Sequence, residues 1–325
     1  MISNKRVCVT GGAGFIGSHM VDRLVEWGNE VTVIDNLSSS TTEYLAHHID
    51  ANEITFYQAD IRDADFLIEN LKGIDLVLHL AADPNVKNSV PFPVESFEIN
   101  VRGTINLLEA MRKNDIPEIA FASSGGTVYG QVDEYPITER TQFRPISPYG
   151  ASKAAGETYI CAYADAYQFK SVAWRYANMF GPRSNHGVTF DFFNKLKTNP
   201  NELEILGDGT QQKDYLYISD CVDASLLCAA HLDEQQVAFE AYNVGGEGWH
   251  TVNELADVVV DAMGLSGVAY TYTGGSIGWV GDVAKMVLDI SKLNGLGWAP
   301  KVTFEEGIRR YIQWLEEYST AQGRH

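Results

Sequence analysis

Tyr149 and Lys153 are the pair of residues in this sequence best suited to proton transfer. They lie four positions apart in SPYGASK, residues 147–153. Ser147 is a favourable helix N-cap and Pro148 fits the first helical position, so both side chains are expected on one face of a helix. An ammonium beside a phenol, close to a helix N-terminus, favours the phenolate. We therefore predict that Tyr149 acts as a general base; the alternative is an ordinary pair on a surface helix.

A glycine-rich turn near the N-terminus predicts a dinucleotide site. Gly11, Gly14 and Gly17 recur at three-residue intervals between an apolar run at 6–10 and an amphipathic helix pattern. A strand, a glycine turn and a helix in this order bring backbone N–H groups to a pyrophosphate. A Cβ at Gly11 or Gly14 would obstruct the ligand, and one at Gly17 would push the helix off the strand. The alternative is a glycine turn without a ligand.

Acidic residues end the next two predicted strands. Asp35 closes EVTVID, eighteen residues after Gly17. A carboxylate there can accept hydrogen bonds from both ribose hydroxyls of adenosine and would repel a 2′-phosphate, which favours NAD over NADP. The alternative is a turn or cap Asp. Asp60, which ends ITFYQAD, could bind the adenine amino group or cap the helix that follows.

Strand and helix patterns alternate five times before the SPYGASK segment. This alternation predicts an α/β fold with a doubly wound parallel sheet. The fourth strand, DLVLHLAA, is apolar almost throughout, as expected of a strand covered on both faces. His79 within it is predicted to be a hydrogen-bonded core residue. Asn100 lies inside a helix pattern at 94–112, where it could bend the helix, order water or be exposed.

Length, composition and charge narrow the class of protein. The chain has 325 residues, of which 45% are hydrophobic and 21% charged, which is typical of a soluble globular protein with a large core or two domains. Its formal net charge of −19 opposes nonspecific binding to nucleic acid or anionic membranes. Without a long apolar run or a signal-peptide pattern, a cytoplasmic location is expected. The four cysteines are scattered, which predicts free thiols and no zinc site.

The ordered set of motifs resembles the extended short-chain dehydrogenase/reductases of the nucleotide-sugar epimerase/dehydratase family, and within it the UDP-glucose (UDP-galactose) 4-epimerases. The matching stretches span nearly the whole chain: TGGAGFIG, HLAA, SSGGTVYG, YGASK, RYANMFGPR, GDGTQQKDYLYISD and GDVAKMVLDISKLNGLGW. The resemblance implies NAD-dependent 4-epimerisation of a UDP-sugar through a transient 4-keto sugar, without a metal. It also implies a homodimer built on a four-helix bundle of the helices after Asn100 and beginning at Tyr149.

Several alternatives stay open within and beyond this family. They are a UDP-glucuronate or UDP-GlcNAc 4-epimerase, a 4-keto-sugar reductase, a sugar 4,6-dehydratase and a non-catalytic NAD-binding sensor. Dehydratases of the family carry an Asp-Glu pair just before VYG, where this chain has Gly126 and Thr127. Reductases of the family commonly prefer NADPH, which Asp35 disfavours. Intact Tyr149 and Lys153 argue against the sensor.

The resemblance implies a Rossmann-like doubly wound sheet with a smaller mixed α/β C-terminal substrate lobe. Residues 1–176, with returning segments at about 217–263 and 301–320, would form the NAD-binding domain. Segments at about 177–216 and 264–300 would form the nucleotide-sugar-binding lobe. A seventh strand near 241–245 would complete the sheet, and the amphipathic last helix would simply pack on the core.

The resemblance also implies the site residues. Tyr149 and Lys153 would be catalytic, together with a hydroxyl from Ser124 or Thr127, because the position that usually carries Ser or Thr is Gly125 here. Ser124 is favoured over Thr127. The NAD-binding residues would be Gly11, Gly14, Phe15, Ile16, Gly17, Asp35, Asn36, Leu37, Ser38, Asp60, Ile61, Leu80, Ala81, Ala82, Asn100, Ser123, Tyr149, Lys153 and Tyr176.

Contacts to the nucleotide sugar are implied in the second half of the chain. Near GGSIGWVGDV the family usually has an Arg for the diphosphate, but this chain has Ile277 and Trp279. Diphosphate binding would then depend on Lys213, Arg183 and backbone donors. The aromatic rings of Tyr215, Trp279 and His186 could stack on sugar or base, or pack in the core. The substrate-binding residues would be Asp83, Ser124, Asn178, Val188, Leu206, Lys213, Tyr215 and Trp279.

Overall fold

Seven parallel strands form the central sheet of the protein. A computed structural model describes residues 1–278 and 281–321. The strands are β1 (Arg6–Thr10), β2 (Glu30–Asp35), β3 (Ile54–Gln58), β4 (Leu76–His79), β5 (Glu118–Ser124), β6 (Lys170–Tyr176), β7 (Asn178–Phe180), β8 (Glu202–Ile205), β9 (Gln212–Lys213), β10 (Tyr215–Tyr217), β11 (Phe239–Val244), β12 (His250–Thr251) and β13 (Ala269–Tyr272). The central sheet has the order β3–β2–β1–β4–β5–β6–β11. This confirms the predicted doubly wound sheet and the seventh strand.

The helices cover both faces of this sheet. They are α1 (Phe15–Glu26), α2 (Ala46–Asp50), α3 (Ala64–Asn70), α4 (Val86–Ser89), α5 (Pro93–Phe97), α6 (Gly103–Lys113), α7 (Gly125–Tyr129), α8 (Pro148–Tyr167), α9 (Val188–Thr198), α10 (Ile218–Ala230), α11 (Val252–Ala262), α12 (Ser291–Asn294) and α13 (Phe304–Ala321). Apolar residues of α1 and α10 belong to one buried cluster, and those of α3, α6 and α8 to another. None of the described helices is long and apolar enough to cross a bilayer.

The second half of the chain adds three two-stranded sheets at the carboxyl edge of the central sheet. They pair β7 with β10, β9 with β12 and β8 with β13. The strand order of the central sheet reverses between β1 and β4, and the crevice outside the carboxyl ends at such a point is where open α/β sheets bind ligands. The fold therefore predicts a ligand site among the loops that follow β1, β2, β4 and β5.

His79 is the core residue that the sequence predicts. It is fully buried in β4, and its Nδ1 and Nε2 atoms lie 2.8 Å and 2.9 Å from the hydroxyl oxygens of Thr10 and Thr104. Burial lowers the pKa of the imidazole to about 3, so the ring is neutral at physiological pH. All four cysteines are free thiols, as expected.

A buried ion pair joins β6 to α8. The Arg175 guanidinium donates from Nε to Glu157 Oε1 at 3.0 Å and from Nη1 to the Tyr129 hydroxyl at 2.7 Å. The side chains of Arg175 and Glu157 are only 7% and 3% exposed. Removing one member of such a pair leaves the other charge buried without its partner.

We predict that Glu157→Gln lowers the free energy of unfolding by about 3 kcal/mol, because Arg175 then stays buried without a counter-charge. Urea unfolding followed by circular dichroism measures this change. Glu98→Gln, which breaks the exposed pair with Arg102 on one helical stretch, serves as the control and should leave the unfolding midpoint unchanged. Equal midpoints for the two variants would contradict the prediction.

Candidate active site

One cleft of about 1450 Å³ crosses the carboxyl edge of the central sheet and draws residues from both halves of the sequence. Most of the predicted site residues line it. They are Gly11, Gly14, Phe15, Ile16, Gly17, Asp35, Asn36, Ser38, Asp60, Ile61, Leu80, Ala81, Ala82, Asp83, Ser123, Ser124, Tyr149, Lys153, Tyr176, Asn178, Val188 and Tyr215, together with Arg183 and His186.

Among the residues that the structure describes, five predicted site residues do not line the cleft: Leu37, Asn100, Thr127, Leu206 and Lys213. Trp279 lies outside the described residues.

The glycine turn fits a dinucleotide, although one glycine is needed for a different reason than predicted. Gly11 has φ +70°, and a Cβ there would lie 2.7 Å from the backbone nitrogen of Ala81, so the loop after β4 rather than a ligand excludes a side chain. A Cβ at Gly17 would overlap the Gly11 carbonyl oxygen, as the predicted helix–strand contact requires. Gly14 is the extended N-cap residue of α1, whose N-terminus opens into the cleft.

Asp35 is held firmly at the wall of the cleft. Its Oδ2 accepts a hydrogen bond from Ala13 N at 3.0 Å, and its Oδ1 accepts from Leu37 N at 2.9 Å and Ser40 Oγ at 3.0 Å. The Leu37 side chain packs against the core, and its backbone has φ +56°. A fixed carboxylate next to the glycine turn fits a ribose with two free hydroxyls and disfavours a 2′-phosphate, as NAD requires.

Asp60 does not cap the helix that follows it. Its carboxylate accepts hydrogen bonds from Arg62 Nη2 at 2.7 Å and from Asn36 Nδ2 at 2.9 Å. Asp63 caps α3 instead, accepting from Phe66 N at 3.0 Å. The side-chain bond from Arg62 holds the pKa of Asp60 far below its usual value. The capping alternative is therefore wrong, while the adenine contact stays a prediction.

Asn100 positions other residues of the site instead of lining the cleft. It is 3% exposed within a π-helical turn, Glu98–Arg102, that separates α5 from α6, so the predicted continuous helix is interrupted there. Its Oδ1 accepts from Asp83 N at 2.7 Å, and its Nδ2 donates to Ser152 Oγ at 2.9 Å. The amide thus ties the loop after β4 to the helix that carries Tyr149 and Lys153.

The Tyr149–Lys153 pair lies on α8 as predicted, with Ser147 as its N-cap accepting from Gly150 N at 3.1 Å. The electrostatic environment of the Tyr149 phenol differs from the one that the sequence predicts. Lys153 Nζ donates to the Ala122 carbonyl at 2.8 Å and lies 6.0 Å from the centre of the Tyr149 ring. Burial lowers the pKa of Lys153 to about 8 and raises that of Tyr149, which the charge of Asp83 raises further. The expected lowering of the Tyr149 pKa by Lys153 is wrong for this arrangement, because desolvation of the phenol dominates.

Ser124 is the hydroxyl at the end of β5 that lines the cleft. Thr127 Oγ1 donates to Ser124 Oγ at 2.8 Å, so the two candidate hydroxyls are coupled. A Cβ at Gly125 would lie 2.8 Å from Leu288 Cδ1, which leaves no room for a side chain unless Leu288 moves. Ser123 Oγ is turned to Glu157 Oε2 at 2.8 Å.

The cation expected at the phosphates is already paired. Lys213 Nζ lies 2.7 Å from Asp282 Oδ1 and also donates to the Val283 carbonyl. Arg183 lines the cleft, but its Nη2 lies 2.7 Å from Asp22 Oδ2. The lining in this half also includes the start of α9 at Val188 and Lys197 near its end. It includes Asn178 as well, whose Nδ2 donates to the Asp214 carbonyl at 3.0 Å.

Asp22 also belongs to a group of possible metal ligands. In the part of the chain that the structure describes, Asp22, His47 and His48 bring their ligand atoms within 4.8 Å of one another. The Arg183 guanidinium on Asp22 and the Glu53 carboxylate 2.6 Å from His48 Nδ1 supply these groups with protein partners. Because a guanidinium occupies the same carboxylate, we assign no metal to this group.

Sequence reasoning missed one wall of the cleft. Tyr44, Trp314 and Tyr318 line it beside the residues that follow β2. The prediction that the last helix simply packs accounts for its buried face, which contains Ile308 and Leu315. The aromatic residues on the half-exposed side, four positions apart, were the signal that could have indicated a second role for α13.

Comparisons with known proteins agree with this geometry. The model of the NAD dependent epimerase/dehydratase family matches residues 7–245. A UDP-glucose 4-epimerase of Mycolicibacterium smegmatis is 34% identical over 320 residues, covering 97% of this chain and 99% of the relative.

Two solved structures are similar over nearly their full lengths. The UDP-glucose 4-epimerase of Thermus thermophilus in complex with NAD has a TM-score of 0.85 and 38% identity, covering 96% of this chain and 99% of its own. The UDP-N-acetylglucosamine 4-epimerase of Methanobrevibacter ruminantium in complex with UDP-N-acetylmuramic acid has a TM-score of 0.88 and 34% identity, covering 98% and 100%. This chain therefore belongs to the NAD-dependent epimerase/dehydratase family.

Proposed function

We propose that this protein is an NAD-dependent 4-epimerase of UDP-glucose and UDP-galactose that works through a transient 4-keto sugar. The observation that carries the proposal is one cleft whose lining includes Ser124 and Tyr149 together with Asp35, Asn178 and Val188. This arrangement suits a dinucleotide and a nucleotide sugar that meet at one reacting carbon. The UDP-glucose 4-epimerases among its relatives support the choice of substrate.

The protein's own residues hold and move the proton. When bound, NAD supplies the hydride acceptor and a positive ring charge that favours a nearby phenolate. Tyr149 accepts the proton of the sugar hydroxyl at C4 and later returns it. Thr127 donates to Ser124 Oγ at 2.8 Å, so the proton of Ser124 itself is directed elsewhere, and we assign it to the same sugar oxygen. Lys153, on the helix of Tyr149, lines the same cleft, and we assign it to binding of NAD.

The diphosphate of the substrate meets donors other than the usual Arg. The N-terminus of α9 at Val188 presents unpaired backbone N–H groups to the cleft, where a helix start favours an anion. Asn178 and Tyr215 line the same part. Lys213 would contribute only by exchanging its bond to Asp282 for one to the ligand. We propose that segments 177–216 and 264–300 bind the nucleotide sugar, and that residues 1–176 with 217–263 and 301–320 bind NAD.

Asp83 favours a neutral sugar over a uronate. Asp83 lines the cleft with Ser124 and Tyr149. Burial is the main cause of the pKa shifts of Tyr149 and Lys153, and the negative charge of Asp83 acts on both groups to raise the pKa. A sugar with a carboxylate at C6 would bring a second negative charge into this cleft, whereas sugar hydroxyls can donate to the carboxylate. Among the alternatives, this observation disfavours UDP-glucuronate.

We predict that Tyr149→Phe lowers kcat for conversion of UDP-glucose to UDP-galactose by at least about a hundredfold, because the general base is lost. Conversion is followed by NMR, and bound NAD is quantified in the same samples. Tyr167→Phe, at the exposed C-terminal end of the same helix, is the matched control and should keep the unmodified rate. Should the unmodified protein convert no member of a panel of UDP-, dTDP- and GDP-sugars, the sensor reading would replace the epimerase.

We predict that Asp83→Asn raises kcat/KM for UDP-glucuronate relative to UDP-glucose by about tenfold, because one like-charge repulsion is removed. Steady-state kinetics with both substrates measure the ratio. Asp133→Asn removes the same charge from an exposed loop outside the cleft and should leave the ratio unchanged. An unchanged ratio in Asp83→Asn would place the carboxylate away from the sugar.

We propose that the protein is a homodimer whose interface includes α5 and α8. Val94 and Phe97 on α5 are 70% and 47% exposed, and Tyr159 on α8 is 43% exposed. Apolar residues that cluster on one exposed face are typical of an interface. We predict that Val94→Glu combined with Phe97→Glu converts a dimer to a monomer in light scattering, while Leu206→Glu, on another exposed surface, does not. A monomeric unmodified protein at micromolar concentration would exclude this interface.

A further inference from the structure

We propose that Trp314 and Tyr318, at the end of α13, form a C-terminal latch that holds the loop after β2 and slows the release of the bound dinucleotide. The latch consists of these two residues, and the loop is residues 36–45. Both sides contribute lining residues to the cleft that contains Asp35. The proposal rests on the binding of NAD and is independent of the sugar substrate.

The latch contacts the loop through one hydrogen bond and one aromatic group. The Tyr318 hydroxyl donates to Glu43 Oε2 at 2.9 Å. The rings of Trp314 and Tyr318 are stacked, with centres 4.8 Å apart and an interplanar angle of 14°. The Trp314 ring centre lies 6.5 Å from that of Tyr44. These contacts join residues that lie about 270 positions apart in the sequence.

The loop connects the latch to the group that is expected to bind the ribose. At its first half, Ser40 Oγ and Leu37 N both donate to Asp35 Oδ1, at 3.0 Å and 2.9 Å. At its other end, Glu43 and Tyr44 are held by the latch. Displacing the second half of the loop therefore loosens the same chain segment that fixes the Asp35 carboxylate.

Tyr44 is held from a second direction. The Arg183 guanidinium lies 5.2 Å from the centre of the Tyr44 ring while it bonds Asp22 on α1 at 2.7 Å. The Tyr44 ring therefore contacts α13 through Trp314 and contacts the segment after β7 through Arg183. Tyr44 lines the same cleft as Asp35, so an adenosine bound at Asp35 would share the cleft with this ring.

The latch residues differ from the fully buried residues of α13, although the Trp314 ring also stacks on that of Tyr311, with centres 6.3 Å apart. The buried face of this helix contains Ile308, Tyr311, Ile312 and Leu315, all at most 2% exposed. Trp314 and Tyr318 are only half-buried. Replacing Tyr318 is therefore expected to change the loop more than the stability of the fold, whereas replacing Trp314 also removes a contact with the core.

A latch of this kind has a chemical purpose in a reaction that uses the same dinucleotide in both directions. The hydride removed from the sugar must be returned to it before the dinucleotide leaves. Release in mid-cycle would leave an oxidised sugar and an enzyme without its cofactor. Slow release of the dinucleotide therefore keeps the two half-reactions coupled.

The test measures the dissociation rate of labelled NAD from the holoprotein, which is diluted into an excess of unlabelled NAD. Tyr318→Phe, which removes only the hydroxyl, should raise the dissociation rate by about threefold, the effect of one hydrogen bond. Trp314→Leu should raise it by about tenfold, because it also removes the aromatic contacts. ADP-ribose, which contains the adenosine half, should bind both variants more weakly by similar factors.

The matched control is Tyr270→Phe, which removes a similar phenol–carboxylate bond of 2.8 Å to Asp257 outside the cleft. It should leave the dissociation rate unchanged. Thermal unfolding midpoints of the latch variants close to that of this control, with faster release of NAD, support the latch. Release at the unmodified rate in Tyr318→Phe and Trp314→Leu overturns it. If Trp314→Leu unfolds, Tyr318→Phe alone decides.

Discussion

The buried amide of Asn100 is the constraint on which the geometry of the active site depends. A buried side-chain amide must find partners, and this one bonds the Asp83 backbone on one side and Ser152 on the other. The loop after β4 and the helix α8 are far apart in the sequence, and the hydrogen bonds of the amide fix the distance between them. Asn100 lies in the π-helical turn Glu98–Arg102, and such turns frequently occur at functional sites. Tyr149, three residues before Ser152, is positioned through the same contact.

Local hydrogen-bond donors in the cleft offset the negative net charge of the protein. The formal net charge is −19, so phosphate groups meet a repulsive field and must be held by local donors. Two helix N-termini, those of α1 and α9, face the cleft and supply such donors. The cations Lys213 and Arg183 are paired with Asp282 and Asp22. We therefore propose that backbone donors carry much of the phosphate binding in this protein.

The sequence predicts the parts of the site that follow from local patterns. The glycine turn, the acidic end of β2 and the capped helix with Tyr149 and Lys153 each depend on residues within a few positions of one another. The parts that it does not predict depend on partners far away in the chain. The direction of the Lys153 ammonium depends on the Ala122 carbonyl, and the second role of α13 depends on Glu43. For Asp60 the sequence leaves an adenine contact and a helix cap open, and the contacts of Arg62 with Asp60 and of Phe66 N with Asp63 exclude the cap.

Gly125 illustrates how a missing side chain can be accommodated by distant residues. Strand β5 ends at Ser124, and the space next to Gly125 is occupied by Leu288 from the far end of the chain, which also packs with Val128 and Tyr129. A hydroxyl-bearing side chain at 125 and a leucine at 288 would compete for one volume, so each residue determines what the other can be. The hydrogen bond from Thr127 to Ser124 then gives the remaining hydroxyl a fixed donor and leaves its proton for a ligand. The departure from the family pattern at Gly125 therefore goes with the packing of Leu288, and Ser124 is the neighbouring hydroxyl that lines the cleft.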